Sequence, residues 1–166
     1  MTLVEVMIGS SLGVMIAGLL VSFSLFSSRS LLAMSNHLEL GMEARGALDR
    51  MTKEIRKATG VTAYATNSIT LSEVDGSTLV FSYNPAQRRL TRTKNGNSTT
   101  LLNECSSLSF AMFMRETQSG TYDLMPTTNP ALCKAIKLTW TCERSFVNAS
   151  IHSQDTSSAT IVLRMK

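Results

Sequence analysis

The sequence predicts an α+β fold, in which a long N-terminal α-helix lies across an antiparallel β-sheet. Three observations predict it. The 23 residues from Val6 to Ser28 contain no ionisable side chain. After Arg29 the apolar residues return at helical spacing, and from Ser68 onward the chain breaks into short β-like runs separated by turn dipeptides. These divide the chain into an apolar helical segment (1–28), its amphipathic continuation (29–60) and a globular β domain (61–166).

The apolar segment is long enough, at ~1.5 Å per residue, to cross a ~30 Å hydrocarbon layer as one helix. Beyond it Leu31, Met34, Leu38, Leu48, Met51 and Ile55 recur in steps of three, four and their sums, the stripe of an amphipathic helix. The acidic residues Glu39, Glu43 and Asp49 precede a basic end at Arg50, Lys53, Arg56 and Lys57, which suits the helix dipole. Gly60 is a natural C′ residue. One helix over about residues 2–58 is therefore expected, with its amphipathic half packed on the sheet and its apolar half bare.

The β region reads SITLSEV, STLVFSY, QRRLTRTK and STTLLNE, separated by Asp75-Gly76, Asn84-Pro85 and Asn95-Gly96. Aspartate-glycine and asparagine-glycine are strong hairpin signals because both tolerate the positive φ of tight turns. Two more strands are expected at about 106–115 and 133–142, around a polar loop with Gly120, Pro126 and Pro130, and ATIVLRM forms the last. Trp140, Phe110 and Met112 are core candidates.

Residues 1–60 hold six Lys/Arg against five Asp/Glu, and residues 61–166 ten against seven. Neither half is basic enough to demand a nucleic-acid partner. No Lys or Arg precedes Arg29, so the N-terminus is not an intact secretory signal. Either a basic leader is removed upstream of Met1, which is the reading preferred here, or an unusual anchor begins there. Cys105, Cys133 and Cys142 form no CxxC pair, which leaves zinc and thioredoxin-like chemistry without a basis. One disulfide and one thiol fit an oxidising compartment.

If 106–115 and 133–142 pair about a loop centred near Asp123, Cys105 falls opposite Thr141, one residue short of Cys142. Cys133 falls opposite Phe113, far along the strand. A Cys105–Cys142 bridge with Cys133 as a buried thiol is therefore expected, and a bulge or another strand order would bring in Cys133 instead.

TLVEVMI with Glu5 at the fifth position, the apolar span, the helical continuation and the β meander together resemble the type IV pilins and the related pseudopilins of type II secretion. RGALDRMTKEIRKA, DGSTLVFSYNPAQRRLTRTKNG and LLNECSSLSFAMF are similar to the W-type minor pilins and J-type minor pseudopilins in particular. The resemblance implies that a prepilin peptidase cleaves a leader before Met1 and methylates the new amine. It further implies that the subunit sits in the inner membrane and is then polymerised by pilus assembly machinery into a helical homo-oligomer, extracellular as a pilus or periplasmic as a pseudopilus. Glu5 would meet the N-terminal amine of a neighbour. Physics points the same way, since a carboxylate among packed apolar helices is unfavourable unless paired.

The chain departs from the family at two places: Met1 stands where phenylalanine is commoner, and Ser22 where many pilins have a helix-kinking proline. Gly13 and Gly18, with Ser22, still mark a stretch open to local unwinding, and Gly9 and Gly13 make a GxxxG spacing suited to close helix contact.

The remaining candidates are weaker. Alternation puts Arg88, Arg92 and Lys94 on one strand face, a candidate contact for DNA or another polyanion, though a solvated face that deters edge pairing explains it as well. His37 and His152 stand alone, with no ligand spacing around them. Asn97-Ser98-Thr99 and Asn148-Ala149-Ser150 match the N-glycosylation pattern. No hydrolase, zincin or phosphate-loop motif occurs, so neither enzyme activity nor a cofactor is expected. The rival to a filament subunit is a non-polymerising, membrane-anchored module that grips DNA or a surface glycan with the basic strand or the 116–130 loop.

Overall fold

The computed structural model describes residues 2–115, 123–146 and 151–163. Met1, Asn148 and the 116–122 part of the polar loop lie outside them, as does the side chain of His152. Helix α1 runs unbroken from Leu3 to Lys57, about 82 Å at the standard rise. Neither Gly13, Gly18 nor Ser22 interrupts it.

At its C-terminal end Ala58 is already extended, with φ −66° and ψ 142°, and donates its N–H to the Ile55 carbonyl. Gly60 is therefore not a C′ residue. It lies in strand β1 (Ala58–Ala65), which begins ten residues before the first β-like run of the sequence. Register shifts on both sides of Gly60 and Val61 break the period-two pattern, because a bulge sets two residues against one.

The meander is present: β1 is followed by β2 (Ser68–Glu73), β3 (Thr78–Asn84), β4 (Arg89–Lys94) and β5 (Asn97–Leu102), paired in chain order in one five-stranded sheet. Its tight turns use left-handed residues where expected, at Gly76 (φ 76°), Asn95 (φ 51°) and Gly96 (φ 81°). The later strands do not extend this sheet. Strands β6 (Cys105–Arg115), β7 (Leu124–Thr127), β8 (Ala135–Phe146) and β9 (Ile151–Val162) form a second sheet in the order β7-β6-β8-β9. The break is local. Between β5 and β6 stand only Asn103 and Glu104, and Glu104 is left-handed (φ 56°), which turns the chain out of the first sheet. Inside the polar loop, β7 and a 3₁₀ turn at Pro130–Leu132 were also unforeseen.

Both sheets pack around one core of Phe81, Phe110, Trp140, Ile69, Leu71, Leu79, Leu90, Leu102 and Met112, all essentially inaccessible. Tyr64 donates its hydroxyl to the Phe110 carbonyl at 2.9 Å, and Tyr83 to that of Cys105 at 2.9 Å, tying one sheet to the other. The helix contributes Asn36, Leu40, Ala44, Ala47, Met51 and Ile55, one stripe at steps of three and four. β9 lies along it, with β5 and β8 beside.

This is a different stripe from the one read in the sequence. Met51 and Ile55 are in the core, but Leu31 (65% exposed), Met34 and Leu38 are bare. Among the described residues the domain's hydrogen bonds reach down the helix to Ala33, whose carbonyl accepts from the Ser153 hydroxyl at 3.4 Å. At ~100° per residue, moreover, those three side chains point away from the docked face. Alanines at 44 and 47 let the sheets approach the helix axis closely.

Candidate functional site

The N-terminal end of α1 is built around Glu5. Thr2 is the extended N-cap residue (φ −84°, ψ 150°), and Glu5 occupies the third helical position. The Thr2 N–H donates to Glu5 Oε2 at 2.8 Å and the Thr2 hydroxyl to the same oxygen at 3.2 Å. In the single chain, then, Glu5 reaches back to cap the start of its own helix. The sequence signal was there, since Thr2-Leu3-Val4-Glu5 has capping-box spacing. The carboxylate lies fully in the open at the tip of a bare apolar rod.

From Leu3 onward no helical residue before Asn36 is buried, and α1 is long and apolar enough to cross a membrane by length and composition. A side chain on Gly9, Gly13 or Gly18 would meet nothing within 4 Å. Packing within the chain therefore places no demand on these glycines. Ser10 and Ser11 satisfy their hydroxyls on the carbonyls of Met7 and Ile8, at 3.0 and 2.9 Å, so the span exposes no unpaired serine hydroxyl at these positions.

In the globular part, Cys105 sits directly opposite Cys142 in the β6–β8 ladder. The one-residue shortfall read from the sequence is absorbed by a register shift between Cys105 and Ser107, so that Ser106 is the extra residue and Ser107 meets Thr141. Phe113 pairs with Ala135, two residues from Cys133. All three cysteines are buried thiols in this structure. The Cys105 thiol donates to the Ser107 carbonyl at 3.2 Å, and its interaction with the neighbouring Cys142 thiol holds Cys105 below its ordinary range and, with burial, pushes Cys142 above it. Burial pushes the Cys133 thiol up.

Arg88, Arg92 and Lys94 each face an acid. Arg92 forms a two-pronged bond through Nε with Glu54 of the helix, at 2.8 and 2.9 Å, and Lys94 pairs with Glu73 and Asp75. Arg88 lies in the turn before β4 with φ 52°, its guanidinium on the Glu143 carbonyl and carboxylate. Leu90, Arg92 and Lys94 do share a face, but it is the inner one, where Leu90 enters the core and Arg92 meets α1. No free cationic stripe results from these three.

One network escaped sequence reading altogether. Arg144, with its side chain 13% exposed, bonds Glu104 at the break between the sheets and Glu39 on the helix. Glu104 first and Glu39 second raise its pKa. Partners separated by 40 and 105 positions leave no local signal. His37 is exposed on the helix, and no group of three or more His, Cys, Asp or Glu able to hold a metal occurs among the described residues. No family model matches the chain, and no curated protein is significantly similar to it.

Proposed function

We propose that the chain is a structural subunit, anchored in the inner membrane by α1 and polymerised through it into a helical filament of the type IV pilus or pseudopilus kind. The observation that carries this reading is the length of the bare apolar surface. Large apolar side chains more than half exposed run from Leu3 to Met42, about 60 Å of helix against a hydrocarbon layer of ~30 Å.

Past Arg29 the bare residues Leu31, Met34, Leu38 and Met42 succeed one another at steps of three and four. They lie on the side of the helix turned away from Leu40 and Met51, the same side as Gly9 and Gly13 at ~100° per residue. Inside lipid, one apolar helix gains no hydrophobic energy by meeting another. The stripe beyond the bilayer does gain it, at about 1.5–3 kcal/mol for each such side chain fully buried. A bundle of identical helices covers both parts at once.

In such a bundle Glu5 leaves water. Two neutral donors from Thr2 do not neutralise a carboxylate there, and an N-terminal amine of a neighbouring copy does. Replacing Glu5 by Ala should leave insertion and the thermal melt of the globular part unchanged. Its recovery in sheared surface filaments should fall at least about tenfold, because the neighbour's amine loses its counter-charge. Wild-type recovery would overturn the assembly role. Copy number per filament, counted in the same preparation, separates a major pilus subunit from a low-copy tip or priming subunit of a secretion pseudopilus.

A further inference from the structure

The far end of α1 carries a feature of opposite character. Lys53, Arg56 and Lys57, one helical turn, form one wall of an open groove of about 590 Å³, with Thr160 and Val162 of β9 forming the other. All five residues are exposed. Among the described residues Lys53, Arg56 and Lys57 have no carboxylate within ion-pair distance; Arg29, Arg45, Arg89 and Lys137 have none either but stand apart, whereas these three share one helical turn, and Arg50, Arg88, Arg92, Lys94 and Arg144 each have an acid. Glu73 and Asp75, which share a shallow depression with Lys57, are already held by Lys94.

Helix polarity explains only part of this. The C-terminal end of a helix presents roughly half a negative charge, and three cations leave a surplus of more than two. A small site of this volume falls within the usual range for ligand clefts, about 300–1,000 Å³.

We infer that this groove binds an oligoanion bearing closely spaced tetrahedral oxyanions, phosphate or sulfate. Arg56 presents a planar fork of donors to such a group, and Lys53 and Lys57 supply point charges on either side. The Thr160 hydroxyl offers a further donor from across the groove. The lining has no aromatic ring, so recognition rests on charge rather than on base stacking.

Two other occupants fit less well. With α1 anchored in the bilayer up to Arg29, as proposed above, membrane headgroups are out of reach, since Lys57 lies about 42 Å along the helix from Arg29 at ~1.5 Å per residue. A second copy is a poor partner because all sixteen Lys/Arg but only eleven of the twelve Asp/Glu follow residue 28, which makes every copy net positive in this region. The inference is independent of polymerisation.

The test uses the full chain in a non-ionic detergent, titrated calorimetrically at low salt with tripolyphosphate and, separately, with a sulfated oligosaccharide. Saturable binding is expected, about tenfold weaker in the Lys53→Gln/Arg56→Gln/Lys57→Gln variant and weakened by added salt. An Arg88→Gln variant should bind as wild type, and all variants should melt normally. Binding of only one probe names the source of the oxyanion, and binding of both assigns a charge-selective site. No saturable binding of either, or undiminished binding by the triple variant, overturns the inference.

Discussion

Both parts of α1 carry apolar side chains, and these meet opposite fates. From Asn36 to Lys57 one narrow stripe, including two alanines and Met51, is sealed under two sheets. From Leu3 to Ser35 larger and more numerous apolar side chains are left bare. Hydrophobicity alone does not decide which part is buried. The docked part works because its stripe is small and periodic, so that β9 can lie against it and the ion pairs of Glu39 and Glu54 can close over the flanks. The bare part is apolar all round, a pattern that suits lipid or a ring of equivalent helices and no single sheet.

The contrast is sharpest when the same change is made on both faces. Met51→Ala should destabilise the globular part by about 2–5 kcal/mol, the usual range for emptying a core site of this size. Leu38→Ala, on the opposite face, should change its thermal or denaturant midpoint very little. A comparable loss from Leu38→Ala would mean that the bare stripe is packed within the chain after all.

A slightly narrower range applies to the cysteines. Non-reducing peptide mapping of protein folded under oxidising conditions should find Cys105 linked to Cys142 and Cys133 free. Reduction should cost about 4 kcal/mol in the chain-entropy model for a loop of this length. Because both sulfurs are buried, the bond is expected to form while the chain folds, by exchange with a dithiol–disulfide oxidant that takes up the two electrons. A fragment linked through Cys133 would break this pairing.

The smallest effect concerns pH and belongs to the β2–β3 turn. The Ser77 hydroxyl first, and the Ser77 N–H second, hold Asp75 below its ordinary carboxylate value of 3.8. A depressed folded value stabilises the folded state above the unfolded one. The contribution is therefore complete at neutral pH and is lost as pH falls below 3.8 through the folded value. Hydrogen exchange at the Ser77 amide should quicken over that acid window, and Asp75→Asn should flatten the change.

Much of this was readable in advance where the signal is local. Asp75-Gly76 and Asn95-Gly96 dictate their hairpins through residues that tolerate positive φ, and the charge-free run to Ser28 marks the bare helix. Features that depend on one irregular residue were not readable. Ser106 shifts a register and brings Cys142 opposite Cys105, while Glu104 alone diverts the chain into a second sheet. Strand β1 was hidden by its own bulges. The docked stripe was misread because its position depends on how far down the helix the domain reaches, a property of the assembled sheets. Arg144 was invisible for the same reason, since its two acids come from distant parts of the chain.

That arginine has a mechanical consequence. The exposed part of α1 is a lever about 50 Å long at ~1.5 Å per residue, and any sideways load on its tip is felt as torque where the rod enters its socket. Glu39 stands at that entry. Arg144 fastens it to Glu104, at the hinge between the two sheets, so the bending moment passes into the seam of the domain and not into the edge of β9 alone. A pull along the rod is resisted instead by the buried stripe in shear. The chain is thus stiffened against bending by charge and against extraction by packing, two fastenings that salt and temperature loosen differently.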